Sequence, residues 1–164
     1  MNSRSAASIA PRLVAAIALG ATVALGTAGC TFITPQATTN QYPASDGVNV
    51  ESTGGPVVVR NALIVATDDG SAGNLIAALI NEGGKSATVT VDVDGRQFDI
   101  RVPAGSSVSL GANEEPLLIE QLDVAPGATV EVLFRSGADE ADPVRIPVLD
   151  GALPFYADLV PDVD

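Results

Sequence analysis

The side chains able to do chemistry in this 164-residue chain are few and mostly acidic. Asp68-Asp69-Gly70-Ser71-Ala72-Gly73-Asn74 and the group Asp139, Glu140 and Asp142 are oxygen-rich stretches. Such stretches can supply calcium, which takes about six to eight oxygen ligands. Neither matches the spacing of the roughly twelve-residue calcium loop, and its closing bidentate Glu has no counterpart. Solvated turns are the expectation, with weak calcium binding as the alternative. Asp92 and Asp94 share a strand face and could work as an acid–base pair in a cleft, but a hairpin turn claims Asp94. Gly84-Lys85-Ser86 is a fragment of a phosphate loop whose first glycine would fall at Leu79, and a strand pattern follows where that loop needs a helix. Lys85 and Ser86 fail as a catalytic dyad because adjacent strand residues point to opposite faces. The chain has no His, so neither a Ser-His-Asp nor a Cys-His set can be assembled. No catalytic residue, cofactor or metal is expected.

Cys30 is the only cysteine and has no partner for an intramolecular disulfide. A free thiol outside the cell would be a liability. Upstream lie Arg4 and Arg12, then an unbroken small and apolar run from Leu13 to Leu25, and no acidic residue occurs before Asp46. This is the layout of a secretory signal. Its core is 13 residues long, within the about 7–15 of a signal and short of the about 20 that span a bilayer. The ending Thr27-Ala28-Gly29-Cys30 resembles the bacterial lipobox, in which a small pair precedes a cysteine that is acylated and becomes the first residue after cleavage. Cleavage would fall between Gly29 and Cys30. Thr27 departs from the pattern, which usually has Leu there. Each buried methylene adds about 0.8 kcal/mol of membrane affinity, so two or three acyl chains would anchor the protein stably.

Twenty acidic side chains against eight basic give a net charge of −12. Without residues 1–29, which carry Arg4 and Arg12, the balance is twenty to six, or −14. Such a surface repels a phosphate polymer, so no nucleic-acid partner is expected. The apolar content of 46% suits one packed domain at this length.

The elements that must position these groups follow from composition and period. Residues 30–46 comprise the acylated Cys and a Thr-, Gln-, Asn- and Pro-containing linker without apolar periodicity. At about 3.3 Å per residue it reaches roughly 50 Å when extended. Beyond it a period of two dominates. Ala87, Val89, Val91 and Val93 alternate with polar neighbours, and Phe98, Ile100 and Val102 continue the pattern after Asp94-Gly95. Asp-Gly favours a two-residue hairpin loop, which sets Val91 opposite Phe98, Val89 opposite Ile100, Asp92 opposite Gln97 and Thr88 opposite Arg101. Further strands are predicted at Val48–Glu51, Val57–Thr67, Asn74–Ile80, Val108–Leu110, Leu117–Val124, Val130–Phe134 and Val144–Val148. An echo links Val102-Pro103-Ala104-Gly105 with Val124-Ala125-Pro126-Gly127. The fold class is all-β: an immunoglobulin-like antiparallel β-sandwich of seven to nine strands over 47–150. A tail, 151–164, carries Phe155 and Tyr156. Packing of this tail on the sandwich is the plainer expectation, and docking of a protein or lipid partner is the alternative.

The lipobox, the tether, Arg60-Asn61-Ala62-Leu63-Ile64-Val65, Asn81-Glu82-Gly83-Gly84 and Val124-Ala125-Pro126-Gly127 together resemble the LpqE-like lipoproteins of actinobacteria. The resemblance covers most of the chain after Cys30. It implies a cell-envelope lipoprotein with an immunoglobulin-like domain and no established catalytic residues. The implied place is the outer face of the cytoplasmic membrane, held by membrane lipid through acylated Cys30, with an envelope protein, lipid or glycan as partner. The fold implied is also similar to periplasmic copper chaperones with a Met and His metal motif, whose ligands this chain lacks. Such sequences sometimes carry a DNA-methylating label, which the residues oppose: there is no Asn-Pro-Pro-Tyr or Asp-Pro-Pro-Tyr tetrapeptide and no Gly-x-Gly cofactor loop after a strand. Two other readings of the residues are a small carboxylate-dependent enzyme acting on envelope glycans and a calcium-dependent adhesion module.

Overall fold

The computed structural model describes residues 45–163, together with Val14, Ile17 and Ala18. The chain divides into two units, Met1–Tyr42 and Pro43–Asp164. In the first, Val14, Ile17 and Ala18 are helical, and no described helix is long and apolar enough to cross a membrane. The rest of the expected leader, the Gly29–Cys30 junction and the tether as far as Ala44 lie outside the described residues.

The second unit contains nine strands: β1 (Val48–Val50), β2 (Val57–Ala66), β3 (Ala72–Asn81), β4 (Ala87–Val93), β5 (Arg96–Val102), β6 (Ser107–Leu110), β7 (Leu117–Glu120), β8 (Thr129–Arg135) and β9 (Val144–Leu149). Their hydrogen-bonded order is β5-β4-β8-β9-β2-β3-β6, with β1 pairing β2 and β7 pairing β3. One leaf holds β1, β2, β3, β6 and β7, and the other holds β4, β5, β8 and β9. A short seam joins them, Ile64 opposite Val148 and Val65 opposite Leu149. This seam is parallel, the one departure from the expected antiparallel pairing among the described strands. Antiparallel neighbours can be joined by tight turns, whereas a parallel pair needs a long crossover. Here the crossover is everything between β2 and β9.

The core lies between the leaves. Val59, Ile64, Leu75 and Leu79 of the first meet Val89, Val91, Val132, Phe134 and Ile146 of the second, all fully buried. The β4–β5 hairpin has the register that its turn chemistry requires, with Val91 opposite Phe98 and Asp92 opposite Gln97. Asp94 and Gly95 both adopt left-handed conformations, at φ 51° and 78°. That pair of positive φ values is the condition for a turn whose twist matches the strands. Asn74–Ile80, whose Leu and Ala content would also suit a short helix, is a strand within β3.

A bulge sets the phase of β2. Its register shifts between Arg60 and Leu63, where Asn61 sits at φ 51°, a conformation Asn tolerates better than most residues. Before the bulge the odd residues Val57 and Val59 face the core; after it the even residues Ala62, Ile64 and Ala66 do. Leu63 and Val65 therefore point out of the sandwich, yet both are buried. The C-terminal tail covers them. Tyr156 packs against Leu63 and Val65 in a second cluster with Ile76, Leu149, Leu159 and Val160. The Asn74 side-chain amide also donates to the carbonyl of Leu159 at 3.0 Å.

Candidate functional site

Each chemically suggestive group can now be placed. In the β2–β3 loop, Asp69 Oδ1 accepts from Thr67 Oγ1 at 2.7 Å, from the Ser71 amide at 3.1 Å and from Ser71 Oγ at 2.8 Å. The Thr67 hydroxyl, followed by the two Ser71 donors, pulls its carboxyl down to about 2. A carboxylate stabilised this far is a poor proton acceptor at neutral pH. Asp69 thus serves the turn that also closes through Gly70 N to Thr67 O at 2.8 Å. Among the described residues no group of three or more His, Cys, Asp or Glu side chains is placed to hold a metal ion.

Asp92 is engaged in the same local way. Its Oδ1 accepts from the Gly95 amide and its Oδ2 from Gln97 Nε2, each at 2.9 Å. Asp94 is a turn residue and not a strand-face partner of Asp92. The two nevertheless line one recess of about 620 Å³, with Asp123 and Glu131 on its rim and Leu122 and Leu133 among its apolar lining. Glu131 faces Arg145 across an exposed ion pair at 3.7 Å. Lys85 and Ser86 are exposed turn residues ahead of β4. Asp139, Glu140 and Asp142 are exposed in the β8–β9 loop, whose Asp139 amide donates to the carbonyl of Gly54 at 3.1 Å.

The tail aromatics separate. Tyr156 is buried, and its hydroxyl donates to Asp46 Oδ2 at 2.8 Å. Burial, followed by that carboxylate, raises the phenol to about 12. Phe155 is 63% exposed and stacks edge-on against Tyr156, ring centroids 4.5 Å apart. Of the two expected docking residues, one is a structural clamp and the other faces outward. Gly29 and Cys30 lie outside the described residues.

Several side chains that matter were not singled out as site residues from the sequence. Asn81 is buried; its Nδ2 donates to the carbonyls of Lys85 and Val102, and its Oδ1 accepts from Gly83 N. Thr53 and Ser136 bond to each other through their hydroxyls at 2.7 Å and staple the loop before β2 to the end of β8. Arg96 of β5 reaches the carbonyls of Glu120, the last residue of β7, and of Gln121 just after it, bridging the leaves. An Asn two residues ahead of the Gly83-Gly84 pair is the signal that could have singled out Asn81.

No family model matches the sequence, and no curated protein matches it. Among solved structures the fold is similar to a copper-bound PCuAC domain from PmoF2, at 13% identity and a TM-score of 0.46, covering 58% of this chain and 94% of that one. It is also similar to an apo PCuAC domain from PmoF1, at 12% identity and a TM-score of 0.48, covering 62% and 97%. The residues present do not fit a Met and His copper site: the chain has no His, and its single Met is Met1.

Proposed function

We propose that this chain is an exported, lipid-anchored binding or assembly module of the cell envelope, without catalytic residues of its own. The observation that carries the reading is the sole cysteine, placed directly after Thr27-Ala28-Gly29 at the end of an apolar run and ahead of a β domain. Supporting it, the acidic groups that suggested chemistry, Asp69 and Asp92, are occupied by turn and cross-strand hydrogen bonds. The resemblance to LpqE-like lipoproteins implies the same role and the same place, on the outer face of the cytoplasmic membrane. The intact mass of the membrane-extracted protein tests the anchor. A chain beginning at an acylated Cys30 is expected, and Cys30→Ser should release the protein or leave its leader attached. An unmodified thiol on a water-soluble product would overturn the reading. Cross-linking in cells then tests for the envelope protein, lipid or glycan that the domain holds.

The recess bordered by Asp92, Asp94, Asp123 and Glu131 favours one second reading, a carboxylate-dependent enzyme acting on envelope glycans. Purified protein should then cleave an envelope glycan, and Asp123→Asn should abolish the cleavage. Absence of any product with the unaltered chain would eliminate this reading.

A further inference from the structure

We propose that Leu153 and Phe155 form a lipid-contacting tip that rests in the headgroup region of the membrane, at the end of the domain where the tether arrives. The proposal deepens the lipoprotein reading and rests on the acylation of Cys30. Among the described residues of the second unit, the large apolar side chains that remain exposed are Leu118, Leu153, Phe155 and Val163, and three of these belong to the tail. Phe155 is not a loose side chain. Its ring leans on Tyr156, and Tyr156 is fixed by burial against Leu63 and Val65 and by its bond to Asp46.

Asp46 decides what covers the tip. It is the last residue of the expected tether, so its bond to Tyr156 puts the point where the leash joins the domain next to the exposed aromatic. Sixteen residues link Cys30 to this point, a reach of at most roughly 50 Å. Acyl chains on Cys30 would therefore keep Phe155 within reach of lipid, and the second contact would form at a raised effective concentration. The tip then adds a second, weaker contact to a chain that the acyl groups already anchor.

Charge selects the kind of surface. The last basic residue is Arg145, while Asp150, Asp158 and Asp162 all lie in or beside the tail. The tail itself carries acidic and no basic side chains, and anionic lipid would repel it. A zwitterionic headgroup layer is the surface it fits.

The chain contains no Trp, so Phe155→Trp introduces a single indole reporter. The full acylated chain bearing this change is reconstituted on phosphatidylcholine vesicles brominated high on the acyl chain, and binding is checked by co-sedimentation. Indole at this position should emit at shorter wavelength and be quenched about twofold, as expected of an aromatic ring at the membrane interface. Quenching should fall as anionic lipid is added at low salt. Thr88→Trp, on an exposed strand position, should not be quenched. Protein that co-sediments with an unquenched indole at 155, or with equal quenching at 88, overturns the lipid-contacting tip while leaving the anchor intact. Protein that stays in the supernatant overturns the anchor and the tip together. Capture of a protein, and not lipid, by a photo-cross-linker at position 155 would also overturn it.

Discussion

Asn81 satisfies three backbone groups at once, two carbonyls and one amide, from a side chain that is 1% exposed. A buried polar group left without its partner costs about 1–3 kcal/mol. Asn81→Ala should therefore lower stability by about 2–4 kcal/mol, read as a fall in the urea midpoint at unchanged slope. Asn81→Asp should be worse at neutral pH, because it turns a carboxylate oxygen toward the Lys85 and Val102 carbonyls. Asp69 provides the contrasting case of an exposed residue whose charge matters. Its folded carboxyl sits at about 2 against an ordinary 3.8. It contributes stability that is present above the ordinary value and lost as pH falls toward 2. Thermal scans should show Asp69→Asn flattening the acid side of the stability profile between about pH 4 and pH 2. Added calcium or chelator should leave the midpoint where it was, since Asp69 Oδ1 already accepts three hydrogen bonds within the loop.

At the level of elements, the left-handed glycines divide by what surrounds them. Gly54 and Gly95 have φ values of 65° and 78°. A Cβ on Gly54 would overlap the Asp139 carbonyl oxygen, while one on Gly95 would meet nothing. Gly95→Ala should cost only about 1 kcal/mol, the price of the backbone conformation. Gly54→Ala should exceed that by at least about 2 kcal/mol, because the stapled loops must separate. Chemical denaturation of both variants checks the difference. The same local character explains what could be read in advance. Asp94-Gly95 and the alternation on either side of it determined the β4–β5 register, because both signals are contiguous in the chain. The echoed segments correspond to two similar turns, Ser106 N to Pro103 O and Ala128 N to Ala125 O, with Gly105 and Gly127 at positive φ. The parallel seam of β2 with β9 could not be read in this way, since it depends on residues more than eighty positions apart and carries no turn signature. The covering of β2 had left a trace in the uninterrupted apolar run Ala62–Ala66, the mark of a strand buried on both faces. The candidate site was less legible, because Asp46 meets Tyr156, and Asn74 meets Leu159, only through the tertiary fold.

For the molecule as a whole, the tail is part of the core. Removing residues 151–164 would bare Leu63, Val65 and Ile76, and losing the packing of an aromatic such as Tyr156 alone costs about 3–5 kcal/mol. The truncated chain should bind a hydrophobic dye and melt at lower temperature. The unaltered chain has a second signature at high pH. Its Tyr156 phenol ionises at about 12 in the fold against an ordinary 10.0. It contributes stability that is whole below pH 10 and lost as pH rises toward 12. Tyr156→Phe should remove that alkaline loss, measured by thermal melts across the interval. The Tyr156–Asp46 contact also ties the C-terminal tail to the residue at which the β domain begins. A circular permutant could exploit this, with position 45 joined to the C-terminus through a short linker and new ends cut at Gly84, where an added Cβ would meet nothing within 4 Å. Survival of every strand pairing in such a permutant would show that order of synthesis and final architecture are separable in this domain.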